Sequence, residues 1–501
     1  MAAKPQAMDA VDAAWYHMDG ATNLAMVTGV TLTQDPLDFE RVKAVYAHRL
    51  LPLARFRQRV VETGLPYPTP HWEEDPYFNI DDHFHHVALP EPRDKQALLD
   101  LLSDIAGTPL DYRRPLWQVH VVDRVDGGSA LILRFHHCVG DGTALMAIAQ
   151  LLFDETRDAP IERAPARSRP PRAGLLDSLA RPVKRLLDQS AQAVSSGASL
   201  VLHPSQAAEL AQLAAQSAGV AVGTLFKTPD PQSPLKGKLG VPKRVAWSEP
   251  IALDDVKAVG KATNAKVNDV LVAAMAGALR HYMQERGSAQ DGMTIRAVVP
   301  VDLRAAGRAM DLGNRFGLVF LDLPVGTTGP LERLYATKHA MDGIKRSPEA
   351  AVFLGILNVF GRAPRTVEDL AVGIFGSKAT LVMTNVAGPQ QPLYMAGSLV
   401  DRLMFWVPHP GALGMGISIL SYDGAVTLGV VSDAGLVPDP EKITAEFNAE
   451  FARLHAAVAE AQQAPRVRAA PVTCAATTAA GRPCKNRPLS GSPYCRVHAP
   501  R

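Results

Sequence analysis

The sequence has 501 residues, of which 47% are hydrophobic, and its 52 Lys and Arg against 50 Asp and Glu give a formal net charge of +2. A chain of this length exceeds the usual size of one hydrophobic core, so two globular domains are expected. The balanced charge excludes a whole-protein field that would hold nucleic acid. No uncharged apolar stretch reaches the roughly 18 to 20 residues that a membrane-spanning helix needs, so integral membrane insertion is not expected.

The cysteines are placed unevenly along the chain. Cys138 lies in the first third, whereas Cys474, Cys484 and Cys495 lie close together near the C-terminus. This is not the pattern of a disulfide framework, and residues 1–12 contain no apolar core of signal-peptide length. A cytoplasmic location is therefore expected, with peripheral contact at the inner membrane or a lipid inclusion left open.

The first 155 residues alternate between strand-like and helix-like patterns. Residues 39–51 have helical spacing, and residues 117–123 and 130–135 are predicted strands. The turn residues Asp126-Gly127-Gly128 between those two strands predict a hairpin. Apolar residues at 145, 148, 151 and 152 then predict a helix.

Residues 157–240 have a different character and are predicted to connect two domains. Residues 159–172 are rich in Pro and Arg, which predicts an exposed connector. Helical patterns follow at 175–195 and 205–225, and residues 229–234 are again rich in Pro. The two helices either pack on the protein surface or dock on lipid.

A second half with mixed patterns extends over residues 241–463, and a Pro/Ala/Arg-rich tail over residues 464–501. Strands are predicted at 295–299, 317–323, 379–383, 415–420 and 426–431. Helices are predicted at 254–263, 269–285, 331–344 and 440–461. The turn sequence at 421–424 predicts a second hairpin.

A histidine pair lies where the predicted strand 130–135 ends, in the segment His136-His137-Cys138-Val139-Gly140-Asp141-Gly142. Successive strand side chains face opposite ways, so one imidazole can enter a cleft while the other packs behind it. The two glycines allow a tight turn before the helix, and the carboxylate can orient a ring or support the local fold. Most His-His pairs merely end or form strands, and His85-His86, which has no Asp-Gly partner, is predicted to be part of a strand.

The spacing H-H-x-x-x-D-G at a strand-to-helix turn resembles the active-site motif of the superfamily that includes chloramphenicol acetyltransferase, carnitine acyltransferases and condensation domains. Further segments, in order over residues 8–460, narrow the resemblance to the bacterial wax ester synthase/acyl-CoA:diacylglycerol acyltransferase family. These segments are Asp12-Ala-Ala-Trp15, Thr22-Asn23-Leu24, Pro115-Leu116-Trp117, Val267-Asn268-Asp269-Val270, Pro300-Val301-Asp302-Leu303-Arg304, Leu312-Gly313-Asn314 and Thr384-Asn385-Val386-Ala387-Gly388-Pro389. Ala387 departs from the family, which often has Pro there, and we expect this to change loop shape rather than chemistry.

The resemblance implies an α/β fold with mixed sheets, in which two chloramphenicol-acetyltransferase-like halves (1–156 and 241–463) are joined by the long crossover and enclose a substrate channel. It implies acyl-CoA as the acyl donor, diacylglycerol or a long-chain alcohol as the acceptor, and no cofactor for catalysis. The product is then a triacylglycerol or a wax ester. His137 is the expected general base, with His136 in support and no acyl-enzyme.

The resemblance assigns supporting roles to further residues. Asp141 is expected to be structural and to pair with Arg304, because a buried carboxylate needs a counter-charge, and Gly142 to support the turn. Asn268 and Asp269 open a predicted helix, so they are an N-cap with a first-turn acid, residues that shape the channel, or both. Pro115-Leu116-Trp117 is predicted to be core rather than channel wall. Gly313-Asn314 and the segment 385–389 are predicted turns at strand ends, with lining of the CoA or acceptor path as the alternative. Cys138 is not expected to be a nucleophile because its position in the motif is variable.

The tail contains Cys474-x9-Cys484-x10-Cys495-x2-His498, the ligand set of a tetrahedral Cys₃His zinc site. A segment this short needs such a staple to fold, so a structural zinc knuckle is the favoured hypothesis over a disordered tail with free thiols. It lies outside the extent of the acyltransferase resemblance and is not expected to be catalytic. Four basic residues in it are candidates for binding an anionic partner of unspecified kind: Arg482, Lys485, Arg487 and Arg496.

Two other hypotheses stay open at this point. One is another enzyme with the same motif, of the condensation or polyketide-lipid esterifying type, and the ordered segments argue against it. The other is a non-catalytic lipid-binding relative, against which the intact His137 and Asp141 argue. Sequence signatures of serine hydrolases, phosphate loops and dinucleotide-binding turns are absent from the sequence.

Overall fold

The computed structural model describes residues 5–63, 69–162, 227–303, 312–344, 350, 353–354, 373, 376–409, 411–463, 473–490 and 492–499. The predicted helices at 175–195 and 205–225 lie outside the described residues, as does Arg304. Residues 1–455 form one compact unit and residues 456–501 another. None of the described helices combines the length and apolar composition that a bilayer crossing requires.

Helices and strands alternate along the chain, and the predicted mixed α/β fold is confirmed. The helices are α1 Ala10–His17, α2 Phe39–Arg49, α3 Lys95–Ala106, α4 Gly142–Leu152, α5 Leu253–Thr263, α6 Val267–Gln284, α7 Pro330–Ile344 and α8 Pro440–Gln463. The strands are β1 Gln6–Ala7, β2 Met26–Thr33, β3 Gln58–Thr63, β4 Thr69–Glu74, β5 Phe84–Ala88, β6 Trp117–Val125, β7 Gly128–His136, β8 Lys243–Trp247, β9 Ile251–Ala252, β10 Ile295–Asp302, β11 Phe316–Leu323, β12 Leu381–Ala387, β13 Tyr394–Met395, β14 Ser398–Trp406, β15 Met415–Tyr422 and β16 Ala425–Asp433.

Two large sheets organise the first unit. A six-stranded sheet has the order β13-β14-β2-β7-β6-β5, and a seven-stranded sheet has the order β11-β10-β12-β15-β16-β8, with β9 also on β16. Both are mixed, since β5 runs parallel to β6 and β12 runs parallel to β10 and β15. The strands β1, β4 and β3 form a small third sheet.

Both predicted hairpins are confirmed. The β6–β7 turn places Asp126 at φ 49° and Gly127 at φ 91°, and the β15–β16 turn places Asp423 at φ 45° and Gly424 at φ 76°. These left-handed conformations are ones that Gly and Asp tolerate better than most residues. His85 lies in β5, as predicted for the second histidine pair.

The two large sheets are connected in two ways: a strand from the C-terminal part of the chain joins the first sheet, and a common buried cluster packs against both. Strand β14, from the C-terminal part of the chain, pairs antiparallel with β2, so that Trp406 lies opposite Thr28. The indole N–H of Trp406 donates to the carbonyl of Ala246 in β8, 3.3 Å away. A buried cluster that includes Trp247 and Met404 connects α3 with strands of both sheets. The first sheet is therefore completed by residues far along the sequence.

Candidate active site

The histidine pair lies at the junction of β7 and α4. Strand β7 ends at His136, a short 3-10 turn covers His137–Val139, and α4 begins at Gly142. The His137 N–H donates to the carbonyl of Ala25, 2.7 Å away, which fixes this turn against the start of β2. A Cβ on Gly140 would lie 2.9 Å from the Cβ of Ala144, so the turn has little room for a side chain there. No such crowding surrounds Gly142, which is exposed.

The His137 side chain lies in an aromatic environment. Its ring stacks on the indole of Trp15 at 4.0 Å and 18°, and the Phe316 ring meets it edge-on at 5.7 Å. Burial lowers the pKa of His137 to about 4, with the neighbouring Asn314 side chain and the residue's own peptide acting in the opposite direction. The imidazole is therefore neutral near pH 7, the state that a general base requires.

The His136 side chain faces the other way and supports the turn. Its Nδ1 accepts the N–H of Cys138 at 3.1 Å, so Nδ1 carries no proton, and its Nε2 lies 3.9 Å from an Asp19 oxygen. Burial, reinforced by the nearby His137, lowers the pKa of His136 to about 3. The rings of Tyr16 and Tyr112 pack around it, and with Asp19 they line part of a cavity of about 480 Å³.

The second sheet reaches the motif through the segment before β11. Gly313 adopts φ +100° and its N–H donates to the carbonyl of Val139 at 3.2 Å. The side-chain amide of Asn314 donates to the carbonyl of His137 at 2.8 Å and to Asp12 at 2.9 Å. These two residues, for which only a turn was predicted, therefore brace the peptide of His137 directly, and Gly313 forms an isolated bridge with Gly140.

Asp141 joins the two parts of the chain. One carboxylate oxygen accepts the N–H of Ala144 at 3.2 Å and so caps α4, while the other accepts the N–H of Arg315 at 3.0 Å. This buried carboxylate therefore connects the start of α4 with the segment that leads into β11 of the second sheet. Its ion pair with Arg304 stays a prediction, because Arg304 lies outside the described residues.

Asp12 and Trp15 have roles that the sequence did not reveal. They lie one turn apart on α1, a spacing that places both on the same face of the helix. Asp12 accepts the backbone N–H of Asn314 at 2.7 Å in addition to its side-chain amide. Burial raises the pKa of Asp12 to about 6, although the Asn314 hydrogen bonds and the charge of Arg55 oppose the shift. In the sequence, these two residues were noted only as part of the segment Asp12-Ala-Ala-Trp15 that carries the family resemblance, and that resemblance predicted none of their contacts.

The interpretation of Asn268 as a helix N-cap is wrong. Helix α6 has Lys266 at the N-cap, and the Asp269 carboxylate accepts the Lys266 N–H at 2.8 Å, so Asp269 supplies the capping contact. Asn268 instead accepts the side-chain amide of Asn385 at 2.6 Å. This hydrogen bond joins the start of α6 to β12, because Asn385 lies within that strand.

Two further residues agree with the structural interpretation. Trp117 is buried, and its indole N–H donates to the carbonyl of Phe56 at 2.9 Å, as expected for core. Cys138 is also buried, and burial raises the pKa of its thiol well above the usual value. A thiol in that state is a poor nucleophile at neutral pH, which agrees with its exclusion from the chemistry.

The four predicted metal ligands of the second unit lie together. The ligand atoms of Cys474, Cys484, Cys495 and His498 all lie within 4.8 Å of one another. The sulfurs of Cys484 and Cys495 are 3.9 Å apart, and His498 Nδ1 lies 3.5 Å and 3.3 Å from the sulfurs of Cys474 and Cys495. The cysteines are buried and His498 is half-buried. The spacing in the sequence correctly indicated one cluster.

Comparisons with known proteins confirm the predicted family resemblance. A wax ester synthase/diacylglycerol acyltransferase catalytic domain model matches residues 1–271, and the corresponding C-terminal domain model matches residues 312–455. Two Mycobacterium tuberculosis H37Rv proteins named as diacylglycerol O-acyltransferases are similar. One is 27% identical over 83% of this chain and 88% of its own length, and the other is 30% identical over 83% and 84%.

Solved structures share the fold. The wax ester synthase/diacylglycerol acyltransferase from Marinobacter aquaeolei VT8 has a TM-score of 0.63 and 21% identity, covering 91% of this chain and 100% of that one. The first condensation domain of the calcium-dependent antibiotic synthetase has a TM-score of 0.58 and 15% identity, covering 91% and 96%. With both domain models matched in order, the chain is an acyltransferase that belongs to the wax ester synthase/diacylglycerol acyltransferase family.

Proposed function

We propose that the protein transfers a fatty acyl group from acyl-CoA to the hydroxyl of diacylglycerol or of a long-chain alcohol, with His137 as the general base. The observation that carries this proposal is the buried imidazole of His137, stacked on Trp15 on one face and braced at its own peptide by Asn314. The names of the similar mycobacterial proteins support diacylglycerol as an acceptor. The name of the Marinobacter structure supports both diacylglycerol and a long-chain alcohol as acceptors.

The proposed reaction is a direct transfer. His137 Nδ1 is buried, so Nε2 is assigned as the nitrogen that meets substrate. Nε2 accepts the proton of the acceptor hydroxyl while the hydroxyl oxygen attacks the thioester carbonyl. The tetrahedral intermediate then expels the coenzyme A thiolate, and His137 transfers to that thiolate the proton that it took from the acceptor hydroxyl. A thioester is already activated, so no acyl-enzyme is needed.

Product analysis tests this proposal most directly. The purified protein is offered a long-chain acyl-CoA with diacylglycerol and a long-chain alcohol in competition, and both esters are quantified by chromatography. Formation of either ester supports the proposal and identifies the preferred acceptor. Absence of both esters, with the protein folded and acyl-CoA bound, would refute it and favour a non-catalytic lipid-binding relative.

The pH dependence should report the low pKa of His137. An imidazole of pKa about 4 stays neutral as the pH falls through the usual value of 6.5, so kcat/KM should hold from pH 8 to about pH 5 and fall only below that. Quantifying the ester chromatographically avoids a thiol reagent that itself depends on pH. Half of the activity lost near pH 6.5, both in the wild type and in a variant in which Asp12 cannot titrate, would contradict this environment for His137.

Asp12 provides the control for that profile. Its pKa of about 6 places a second titration in the same range, and Asp12 contacts the residue that braces His137. The Asp12→Asn variant retains a side-chain oxygen that can accept both hydrogen bonds from Asn314 but does not titrate. An inflection near pH 6 that disappears in this variant therefore belongs to Asp12, whereas one that persists belongs to another group.

We propose further that Cys474, Cys484, Cys495 and His498 bind a structural zinc ion. Tetrahedral zinc, with Zn–S of about 2.3 Å and Zn–N of about 2.0 Å, requires ligand separations of about 3.8 Å between sulfurs and about 3.5 Å between sulfur and nitrogen. The observed 3.9, 3.5 and 3.3 Å agree with these values. The Cys495 N–H also donates to the Cys474 sulfur at 3.2 Å, a contact that stabilises a thiolate.

Metal analysis tests the zinc site. The purified full chain should contain stoichiometric zinc, and Cys484→Ser should lose most of it, because one of the four ligands is removed. Ester formation in solution should be unchanged in this variant, since the site lies outside the family's catalytic and C-terminal domains. The matched variant Cys138→Ala should keep its zinc. A wild-type chain without metal, or equal zinc in Cys484→Ser, would contradict the site.

A long-chain acceptor also bears on where the protein acts. Diacylglycerols and long-chain alcohols reside in bilayers and lipid inclusions rather than in water, so access to them requires contact with a lipid surface. This consideration supports peripheral association as part of the proposed function.

A further inference from the structure

Charge is distributed unequally between the tail and the rest of the chain. Of the 52 Lys and Arg, seven lie in residues 464–501, which contain none of the 50 Asp and Glu. The remaining 45 cations against 50 anions give residues 1–463 a formal charge of −5, whereas the tail has +7. The near-neutral total therefore conceals a strongly basic segment on a weakly acidic body.

The cations of the tail are exposed. We define the tail module as the described residues 473–490 and 492–499, in which four cations are exposed: Arg482, Lys485, Arg487 and Arg496. Within the described part of the chain, none of the four takes part in a salt bridge. Their charge is therefore directed at solvent or at an external partner, rather than being neutralised within the module.

Large apolar side chains are exposed among these cations. Val497 is 75% exposed, Leu489 45% and Tyr494 36%, and each is within two residues of a cation or of a metal ligand. The Leu489 N–H donates to the carbonyl of Tyr494 at 2.9 Å, so the backbone brings these two residues together. Leu489 and Tyr494 are thus an exposed apolar pair, and with Val497 they give a module of this size the exposed apolar side chains of an interaction surface.

The combination of side chains favours one class of partner. An anionic bilayer surface attracts Lys and Arg, and its interfacial region accepts aliphatic side chains and Tyr. A single-stranded nucleic acid would instead favour aromatic rings on which bases stack, and Val497 and Leu489 offer none. A protein partner with an acidic face would attract the cations equally, but it would leave the chain without affinity for anionic vesicles, so the test below separates the two.

We propose that the tail module docks the protein on anionic phospholipid surfaces, with the cations of the module contacting headgroups and Val497, Leu489 and Tyr494 entering the interface. This inference rests on the proposed zinc site, which would hold the module folded, and it supplies the lipid contact that the proposed acyl transfer requires. It concerns a surface that lies outside both matched family domains.

Sedimentation with vesicles tests the docking surface. The full chain is mixed with vesicles of phosphatidylcholine alone or with about a third phosphatidylglycerol, and it should bind only the anionic vesicles, less tightly as salt rises. A variant with Arg482, Lys485 and Arg487 changed to Gln should bind roughly 100-fold more weakly, since each cation contributes about fivefold. The matched variant, with the exposed Lys238, Lys257 and Lys261 changed to Gln, should bind like the wild type.

The apolar contribution has its own pair of variants. Changing Leu489 and Val497 to Ser should weaken vesicle binding while leaving net charge unchanged, whereas changing the exposed Tyr77 and Tyr335 of the body to Ser should not. Equal binding of all variants, equal binding to both vesicles, or binding of a short oligonucleotide without binding of anionic vesicles would overturn the proposal.

The readouts separate this proposal from those on which it rests. Zinc content is measured on every variant, and ester formation is measured without vesicles, using a short-chain alcohol in solution. Loss of vesicle binding with zinc and ester formation intact assigns the effect to the surface. Vesicle binding that follows the module's variants in a chain that forms no ester supports the docking surface and refutes only the proposed function.

Discussion

Replacing His137 with Ala should lower kcat/KM for ester formation by about 10³-fold, within the range that general acid–base groups contribute. The variant keeps the His137 N–H and carbonyl, which bond Ala25 and Asn314, so the turn should survive. The variant loses only the imidazole, which takes the proton from the hydroxyl of the acyl acceptor. The measurement is steady-state ester formation, with acyl-CoA binding and the denaturation midpoint followed in parallel.

Two comparisons make that result specific to the imidazole. His137→Gln offers a polar group of similar length that is not a base, and it should be nearly as inactive as the alanine variant. Cys138→Ala, at the adjacent position, should keep activity close to that of the wild type, because the buried thiol is protonated. A residual activity above about a tenth in both His137 variants would show that another group takes the proton.

Local structure was the part of the fold that the sequence could predict. The turn between β7 and α4, both hairpins and the helix 330–344 depend on residues close together in the chain, so periodicity and turn chemistry are enough. The same holds for the tail cluster, whose four ligands lie within 25 residues by their spacing in the sequence. These features could be predicted because the interactions that form a turn, a helix or the tail cluster are between residues close together in the sequence.

Long-range pairing was not predictable. Nothing in residues 398–406 indicates that β14 lies beside β2, because strand register depends on partners hundreds of residues away. The same limit applied to Asn314, whose Gly-Asn sequence predicted a turn but not its hydrogen bonds to Asp12 and His137. For Asn268 the local pattern misled, since Lys266 rather than an Asn occupies the N-cap and the capping side chain follows at the third helical position.

The brace around His137 is predicted to depend on the amide of Asn314. Its NH₂ group donates to two acceptors at once, the carbonyl of His137 and the carboxylate of Asp12, in a buried site. Asn314→Asp keeps the shape but replaces this donor with an acceptor. It therefore places a second carboxylate against Asp12 and against a carbonyl oxygen, where all three groups repel one another.

Asn314→Asp should accordingly lower the free energy of unfolding by about 3–5 kcal/mol at pH 8, against about 1–3 kcal/mol for Asn314→Ala, which only removes the donor. Asn264→Asp, at an exposed helix end, should change stability little and serves as the matched control.

The pH dependence of the Asn314→Asp defect distinguishes this account from simple loss of packing. The pKa of Asp12 is already raised to about 6, and a second carboxylate raises it further, so the pair shares a proton at low pH. A raised folded-state pKa gives stability that is present at low pH and lost as the pH rises through it. The defect should thus be small near pH 5 and full by pH 8 in urea titrations. A defect of equal size at both pH values would mean that Asp12 and residue 314 do not form the buried pair that braces His137.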